Sequence, residues 1–445
     1  MVRSRALRRK AAVSPWRIWV VVGVGVLVTV GGVLLLARMD ALAAGPVLAG
    51  AMLLLIVSYA SPTIGISLWL AVTVVVPDWT RVEVGIGSLR PLTAVGIVVV
   101  IGVLLGRRFR RTRLGFADLA LAVASVLMCV FVALESYPLF VVANFVSVLF
   151  LSYVVGRVAP DGVKRVFLCA MLFVAVWGII EFVLGMHVWE HWMPSNEHHW
   201  NDIQTRVGLD RSEASFGHSI AYGAALASGI PFTQLLRRPW IGQLLLIAGI
   251  GVSLARGPYL AAALTLGLTV IVLGGVRGRS TITRYLVLVA TIVAIVLFFQ
   301  VLYSSESESE VVRSGQTRLN QLANTLPHVQ PFGSLSLSYE DGRLETAGDS
   351  VIDNTFLRLA INYGWVTMLL IVTPIVAVTA QFFRRRFSMA SIAVIGQLPV
   401  LATASLIVQW QGLLFFLAGL AIADLRESGP PTDADGTGLH VGKVR

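Results

Sequence analysis

Apolar runs recur along most of the chain, separated by short polar turns and by two long polar intervals. The runs lie at 18–37, 42–57, 64–76, 92–105, 116–134, 139–155, 166–186, 220–236, 241–255, 259–274, 286–303, 355–383, 389–407 and 412–423. A helix needs about 20 apolar residues to cross a hydrocarbon core, and several of these runs are short. The pattern predicts an all-α fold: a polytopic integral membrane helical bundle with about 12–14 transmembrane helices. The polar intervals, 187–214 and 304–354, are too long and too hydrophilic for hydrocarbon, where each unpaired backbone group costs several kcal/mol. The second carries eight carboxylates and three arginines.

Composition agrees with the pattern. The chain has 445 residues, of which 56% are hydrophobic and 13% charged, with a mean hydropathy of +0.80. Soluble domains carry about 25% charged residues. The net charge of +11 does not indicate nucleic acid, because the basic residues sit in short runs beside apolar segments. RSRALRRK opens the chain, and further runs lie at 107–111, 237–238 and 384–386. Placing all of them on one side satisfies the positive-inside rule and sets a cytoplasmic N-terminus. Both long polar loops then fall outside, as expected for a multi-pass membrane protein with its N-terminus in the cytoplasm.

The expected organisation follows. Residues 1–17 form a basic cytoplasmic start, 18–186 the N-terminal helices, 187–214 an extracytoplasmic loop and 215–303 the central helices. Residues 304–354 form the large extracytoplasmic loop, 355–423 the C-terminal helices and 424–445 a Gly-, Pro- and Asp-bearing cytoplasmic tail. Segment 18–37 reads as an uncleaved anchor; its length exceeds a signal h-region, although ALAAG at 41–45 offers small residues for cleavage. Cys129 and Cys169 each fall inside an apolar run and read as small buried hydrophobes. SSESESE at 304–310 reads as a solvated loop start.

Four polar constellations stand out. In RSEASFGHSIAYGAALASGIP, Arg211 and Glu213 precede Phe216, Gly217, His218 and a span of small residues, which lets helices approach closely. An outer arginine runs against the positive-inside bias. In SLARGPYLAAALTLG, Arg256 lies between two apolar runs, where a cation needs a partner, a polar cavity or a path to the headgroups. In the large loop, Leu319, Leu322, Ala323 and Leu326 recur at helical spacing and predict a short amphipathic helix lying on the bundle, ended by Pro331 and Gly333. Asp353 and Asn354 then stand at the mouth of the next span, placed to cap it or to act there. The fourth is HVWEHWMPSNEHHW, where His187, Glu190 and His191 have metal-compatible spacing. Its tryptophans lead to the preferred reading, an interfacial belt or a platform for sugar rings.

The first three blocks together resemble the O-antigen ligase and Wzy-type polysaccharide polymerase superfamily. The resemblance rests on an Arg followed by FGH at the opening of a span, an S-x-A-R-G turn, and a loop with Arg, P-F-G and D-N-x-F-L. It covers about 211–267 and 313–370. Members transfer lipid-pyrophosphate-linked glycans at the outer face of the cytoplasmic membrane. The resemblance therefore implies a polyprenyl-pyrophosphate-linked glycan donor, a glycan or lipid acceptor and surrounding membrane lipids as partners, with no cofactor, no metal and no nucleic acid. It makes Arg211 and Arg318 the essential arginines and Arg256 the arginine of the span boundary. Ligases carry a His where this chain has Asp353, which leans toward a polymerase or another glycan transferase.

The residue types suit that chemistry. Guanidinium neutralises a departing pyrophosphate through planar paired hydrogen bonds. The attacking hydroxyl needs a base or an orienting acceptor, for which Asp353, His328, His218 and Glu213 are candidates and Asp353 is preferred. Arg256, His218, Glu213, Asn354 and His328 are the expected substrate-binding set. A lipid flippase or other transporter is the first rival reading, and a non-catalytic scaffold of an envelope-synthesis complex the second. Transporters favour intramembrane charge and internal repeats, whereas this chain concentrates polar residues in outer loops.

Overall fold

The computed structural model describes residues 41–427 apart from 79, 81, 85–86, 107–113, 135–138, 190–204, 207, 274–315, 317–321, 324, 335–337, 341–342, 346–351 and 353. The expected spans at 18–37 and 286–303, the acidic-serine run, Glu190, His191, Leu319, Arg318 and Asp353 lie outside the described residues. Every other apolar run coincides with helix. The order begins α1 (Ala41–Ala60), α2 (Pro62–Val75), α3 (Pro91–Leu105) and α4 (Phe116–Ala133). Helices α5 (Leu139–Asn144) and α6 (Leu151–Val158) are one rod joined by a π turn at Phe145–Phe150. Then come α7 (Val163–Leu184), α8 (Ser219–Gly229) with a 3-10 extension Ile230–Leu235, α9 (Pro239–Val252) and α10 (Arg256–Leu268). After the large loop follow α11 (Thr355–Tyr363), α12 (Trp365–Phe383), α13 (Met389–Gly396), α14 (Leu398–Thr403) and α15 (Val408–Glu427).

Among the described residues six helices are long and apolar enough to cross a membrane, and shorter apolar helices accompany them. The chain is thus an all-α membrane bundle, with three small departures. Two-stranded hairpins pair Val82–Val84 (β1) with Gly87–Leu89 (β2), Thr205–Arg206 (β3) with Leu209–Asp210 (β4), and Ser338–Glu340 (β5) with Arg343–Glu345 (β6). All three lie between helices, where short polar turns close antiparallel ribbons too brief to show as alternation in the sequence.

Helix α15 is apolar on every side, as a central helix must be, and 89% of its apolar window is buried, against 28% for the peripheral α4. It crosses α6 at closest approach where Gly156 faces the Phe416 carbonyl and Gly419 faces the Tyr153 carbonyl; any Cβ there would collide with backbone. Small residues at such crossings let helices gain packing contacts that lipid cannot supply. Cys129 and Cys169 are exposed on the outer faces of α4 and α7, not buried as expected. An apolar run in a bundle has a lipid-facing side, so apolarity there does not mean burial in protein.

Two expected single spans are broken. The 355–383 run divides at Gly364, whose φ of 74° ends α11. The carbonyl of Pro331 would lie only 2.5 Å from a Cβ at that position. The large loop seats into this break: Trp365 N–H donates to Gln330 O (3.0 Å) and Val366 N–H to Pro331 O (3.1 Å), while Phe332 stacks on Phe131 at 5.0 Å. The 389–407 run divides at Gln397 into α13 and α14. The expected amphipathic helix survives as helical residues 322, 323 and 325 and a 3-10 turn Leu326–His328. Its orientation differs from expectation: Leu322, Ala323 and Leu326 are exposed and Thr325 is the buried residue. A helix at the membrane surface can satisfy its apolar side with lipid.

The two ends of the bundle differ in charge. At one end Asp118 takes the Arg157 guanidinium in a two-point bond (2.8 and 3.0 Å) and accepts from Tyr153 Oη (2.6 Å) and the Gly115 N–H (2.8 Å). There too Lys164 binds Asp161 (2.8 Å) and Asp424 (2.7 Å). The arginine runs at 237–238 and 384–386 adjoin the helix ends that share this face. The opposite end carries the described loop residues of 76–90, 185–189, 205–218, 253–255 and 404–407.

Candidate functional site

The segment 211–218 leads into α8 and is buried where helices from four parts of the chain meet. Ser212 Oγ donates to Gly178 O on α7 (2.6 Å), and Ser212 N–H donates to Val252 O at the end of α9 (3.1 Å). Ser215 Oγ donates to Val74 O on α2. Gln409, near the start of α15, donates to Ser215 O (2.8 Å) and Val76 O (3.1 Å). A loop this enclosed must have its backbone groups satisfied by specific partners, and these are the partners. Two residues pay with left-handed backbone, Ala214 (φ 49°) and Leu254 (φ 48°). Such strain costs about 1–3 kcal/mol per residue and persists only where surrounding contacts fix it.

Arginines gather on one turn. Arg211 Nε donates to Ser253 O (3.2 Å), and Arg206 Nη1 donates to Leu254 O (2.9 Å). Tyr259 Oη, from α10, donates to Gly251 O (2.7 Å) and holds the same turn. Burial, with the like charge of Arg206, lowers the Arg211 guanidinium to about 10; it stays a cation at neutral pH. Arg256 opens α10 on the far side of this turn and is half-buried.

Behind the arginines lies an acidic pair. Glu181 Oε1 accepts the backbone N–H of Glu213 (2.8 Å) and of Ala214 (3.0 Å), and His187 Nδ1 lies 2.9 Å from it. Glu213 is buried, and its Oε1 accepts no hydrogen bond. Burial pushes its carboxyl up to about 7; Glu181 adds to the rise, while His187, Arg211 and the Ser219 N–H oppose it. His218 caps α8, its Nδ1 accepting the Ile220 N–H (3.2 Å). Burial and the Arg211 charge hold this imidazole down to about 4. It is therefore neutral with its proton on Nε2, so it offers a donor and is not set to act as a base.

The C-terminal block reaches this region through the end of α14. Asn354 Oδ1 accepts the Leu357 N–H (3.1 Å) as cap of α11, and its Nδ2 donates to Ala402 O (3.1 Å). Thr355 Oγ1 donates to Ala404 O (2.7 Å), and Ser405 Oγ to Ile352 O. The same α14 packs on the start of α10, with Val400 and Thr403 lining Gly257. The structure thus brings together the expected Arg211, Glu213, His218 and Arg256, with Asn354 arriving through a shared neighbour. His328 is exposed at the end of the 3-10 turn preceding the segment seated on the α11–α12 break.

Asn354 is engaged at both ends of its amide by the fold itself. Sequence reasoning missed Arg206, Glu181, Tyr259 and Gln409. For Arg206 the available signal was a second outer arginine shortly before Arg211; for Glu181 it was a lone carboxylate late in a long apolar run.

No family model, curated protein or solved structure matches the chain.

Proposed function

We propose that the chain is a membrane glycan transferase acting at the outer face of the cytoplasmic membrane. It moves or polymerises a polyprenyl-pyrophosphate-linked oligosaccharide onto a glycan or lipid acceptor. One observation carries the reading: two guanidiniums, Arg206 and Arg211, converge on one strained turn at the end of the bundle opposite the arginine runs. Cations held side by side at a membrane surface suit a lipid-linked dianion, and guanidinium suits its phosphate oxygens. The order of the arginine-bearing motifs supports the same reading.

In the reaction the acceptor hydroxyl attacks the anomeric carbon. The bond from that carbon to the pyrophosphate oxygen breaks, and polyprenyl pyrophosphate leaves with the bonding electrons. Arg211 and Arg318, with Arg256 at the boundary, hold the charge that develops on the leaving oxygen. Asp353 takes the hydroxyl proton, His218 Nε2–H orients a donor oxygen, and Glu213 supports Arg211.

The test is transfer by the purified, reconstituted chain given a polyprenyl-pyrophosphate-linked oligosaccharide, comparing wild type with Asp353→Asn. Asparagine caps a helix about as well as aspartate, so a purely structural role tolerates the change. The expected outcome is loss of glycan product with the protein still folded. Undiminished product in the variant removes Asp353 from the mechanism.

A further inference from the structure

Two buried carboxyls of the site, Glu181 (Oε2) and Glu213 (Oε1), each leave one oxygen without a hydrogen-bond partner, and Glu213 is 7% exposed. Its own N–H is fixed on Glu181, and Phe216 N–H donates to its carbonyl (2.9 Å), so the backbone that carries the carboxyl is held on both sides. The groups acting on it are Arg211 on the same loop, Glu181 on α7 and His187 just beyond α7. Beyond them, Arg206 on β3 and the neutral His218 lie close to Arg211, Tyr222 on α8 to Glu181, and Tyr259 on α10 to both arginines. Helix α2, which the loop touches through Val74, leads to Asp78, already paired with Arg90 at 3.0 Å. Glu181 Oε1 takes two backbone N–H groups and lies against His187, whereas Glu213 Oε1 takes none. Two buried carboxylates so close, each with one oxygen unserved, would meet both desolvation and like-charge repulsion. A proton on Glu213 relieves both.

We propose that Glu213 is a proton-binding site that sets the strength of the Arg206–Arg211 anion site. Protonated, it does not compete for the Arg211 charge; ionised, it competes with an incoming pyrophosphate for it. The proton leaves to water when Glu213 ionises and returns when an anion binds. This rests on the anion-site reading given above. The sign is fixed: the anion prefers protonated Glu213, so it binds more tightly at lower pH. If only the protonated form binds well, affinity falls at most about tenfold per pH unit above the midpoint.

Two measurements on the full chain in lipid nanodiscs test this. In pH-difference infrared spectra, the wild type should show a protonated-carboxyl C=O band that fades with a midpoint near 7. The band should be missing from Glu213→Gln; where that variant fails to accumulate, Glu213→Asp should shift the band instead. Calorimetry with inorganic pyrophosphate should show wild-type affinity falling about tenfold between roughly pH 6 and 8, relative to Glu213→Gln. A carboxyl band unaffected by either substitution overturns the proposal, and so does an identical pH dependence of affinity in wild type and variant. Failure of the wild type to bind pyrophosphate at any pH refutes the anion site itself, while the infrared titration still decides whether Glu213 holds the proton.

Discussion

The two ends of the bundle solve the problem of charge beside a membrane in opposite ways. At the arginine-rich end Asp118, Arg157 and Tyr153 form a closed set, and Lys164 lies between Asp161 and Asp424. Opposite charges there neutralise one another within the fold. At the other end like charges are brought together: Arg206 beside Arg211, and Glu213 beside Glu181. Gathering like charges costs stability, and it does so on a loop that also carries left-handed Ala214 and Leu254. A set of paired opposite charges explains itself as a fastening, whereas like charges gathered in one place suit a ligand site.

The comparison breaks most sharply at the closed end. Arg157→Ala leaves Asp118 buried without its cation, and losing one partner of a buried pair costs about 3–5 kcal/mol. The expected outcome is a large drop in thermal stability and in membrane accumulation, with activity per folded molecule nearly intact. Retained stability would show the pair to be no fastening. At the open end the split should reverse. Arg211→Lys keeps a charge but loses the planar fork; losing one charge-assisted contact of about 2–4 kcal/mol slows transfer roughly 30- to 1000-fold. Protein level and melting temperature should change little. Near-normal transfer in the lysine variant would mean that Arg211 serves topology alone.

Much of this division was legible in the sequence, and the limits have physical causes. Apolar run length located each described helix, because crossing hydrocarbon constrains length and composition directly. Run length could not show the breaks at Gly364 and Gln397, since both halves of a broken span are equally apolar. It could not place Cys129 or Cys169 either, because lipid-facing and protein-facing sides share one composition. Arg211 and Arg256 were visible by their position against the charge asymmetry of the loops. Glu181 and Gln409 were not, since their partners lie far off along the chain: Glu181 holds Glu213 and Ala214, and Gln409 holds Ser215 and Val76. Arg318 and Asp353, preferred from the motif resemblance, lie outside the described residues, so their roles rest on the proposed chemistry.

The smallest expected effect concerns Asn354, which lies near the open end yet is bonded like a residue of the closed one. Asn354→Ala removes a helix cap and the bond to Ala402 O, for a loss of about 1–2 kcal/mol. Asn354→Asp should recover the cap and most of the stability, as read by thermal unfolding in detergent. Full stability in the alanine variant, combined with lost transfer, would move Asn354 from the fold to the substrate.

The central claim is transfer at the outer face, and leaflet-resolved detection of the lipid-linked glycan in cells carrying Arg211→Ala tests it most directly. The account predicts that the donor accumulates in the outer leaflet, unextended and untransferred. Accumulation in the inner leaflet would contradict it and identify the chain as a transporter.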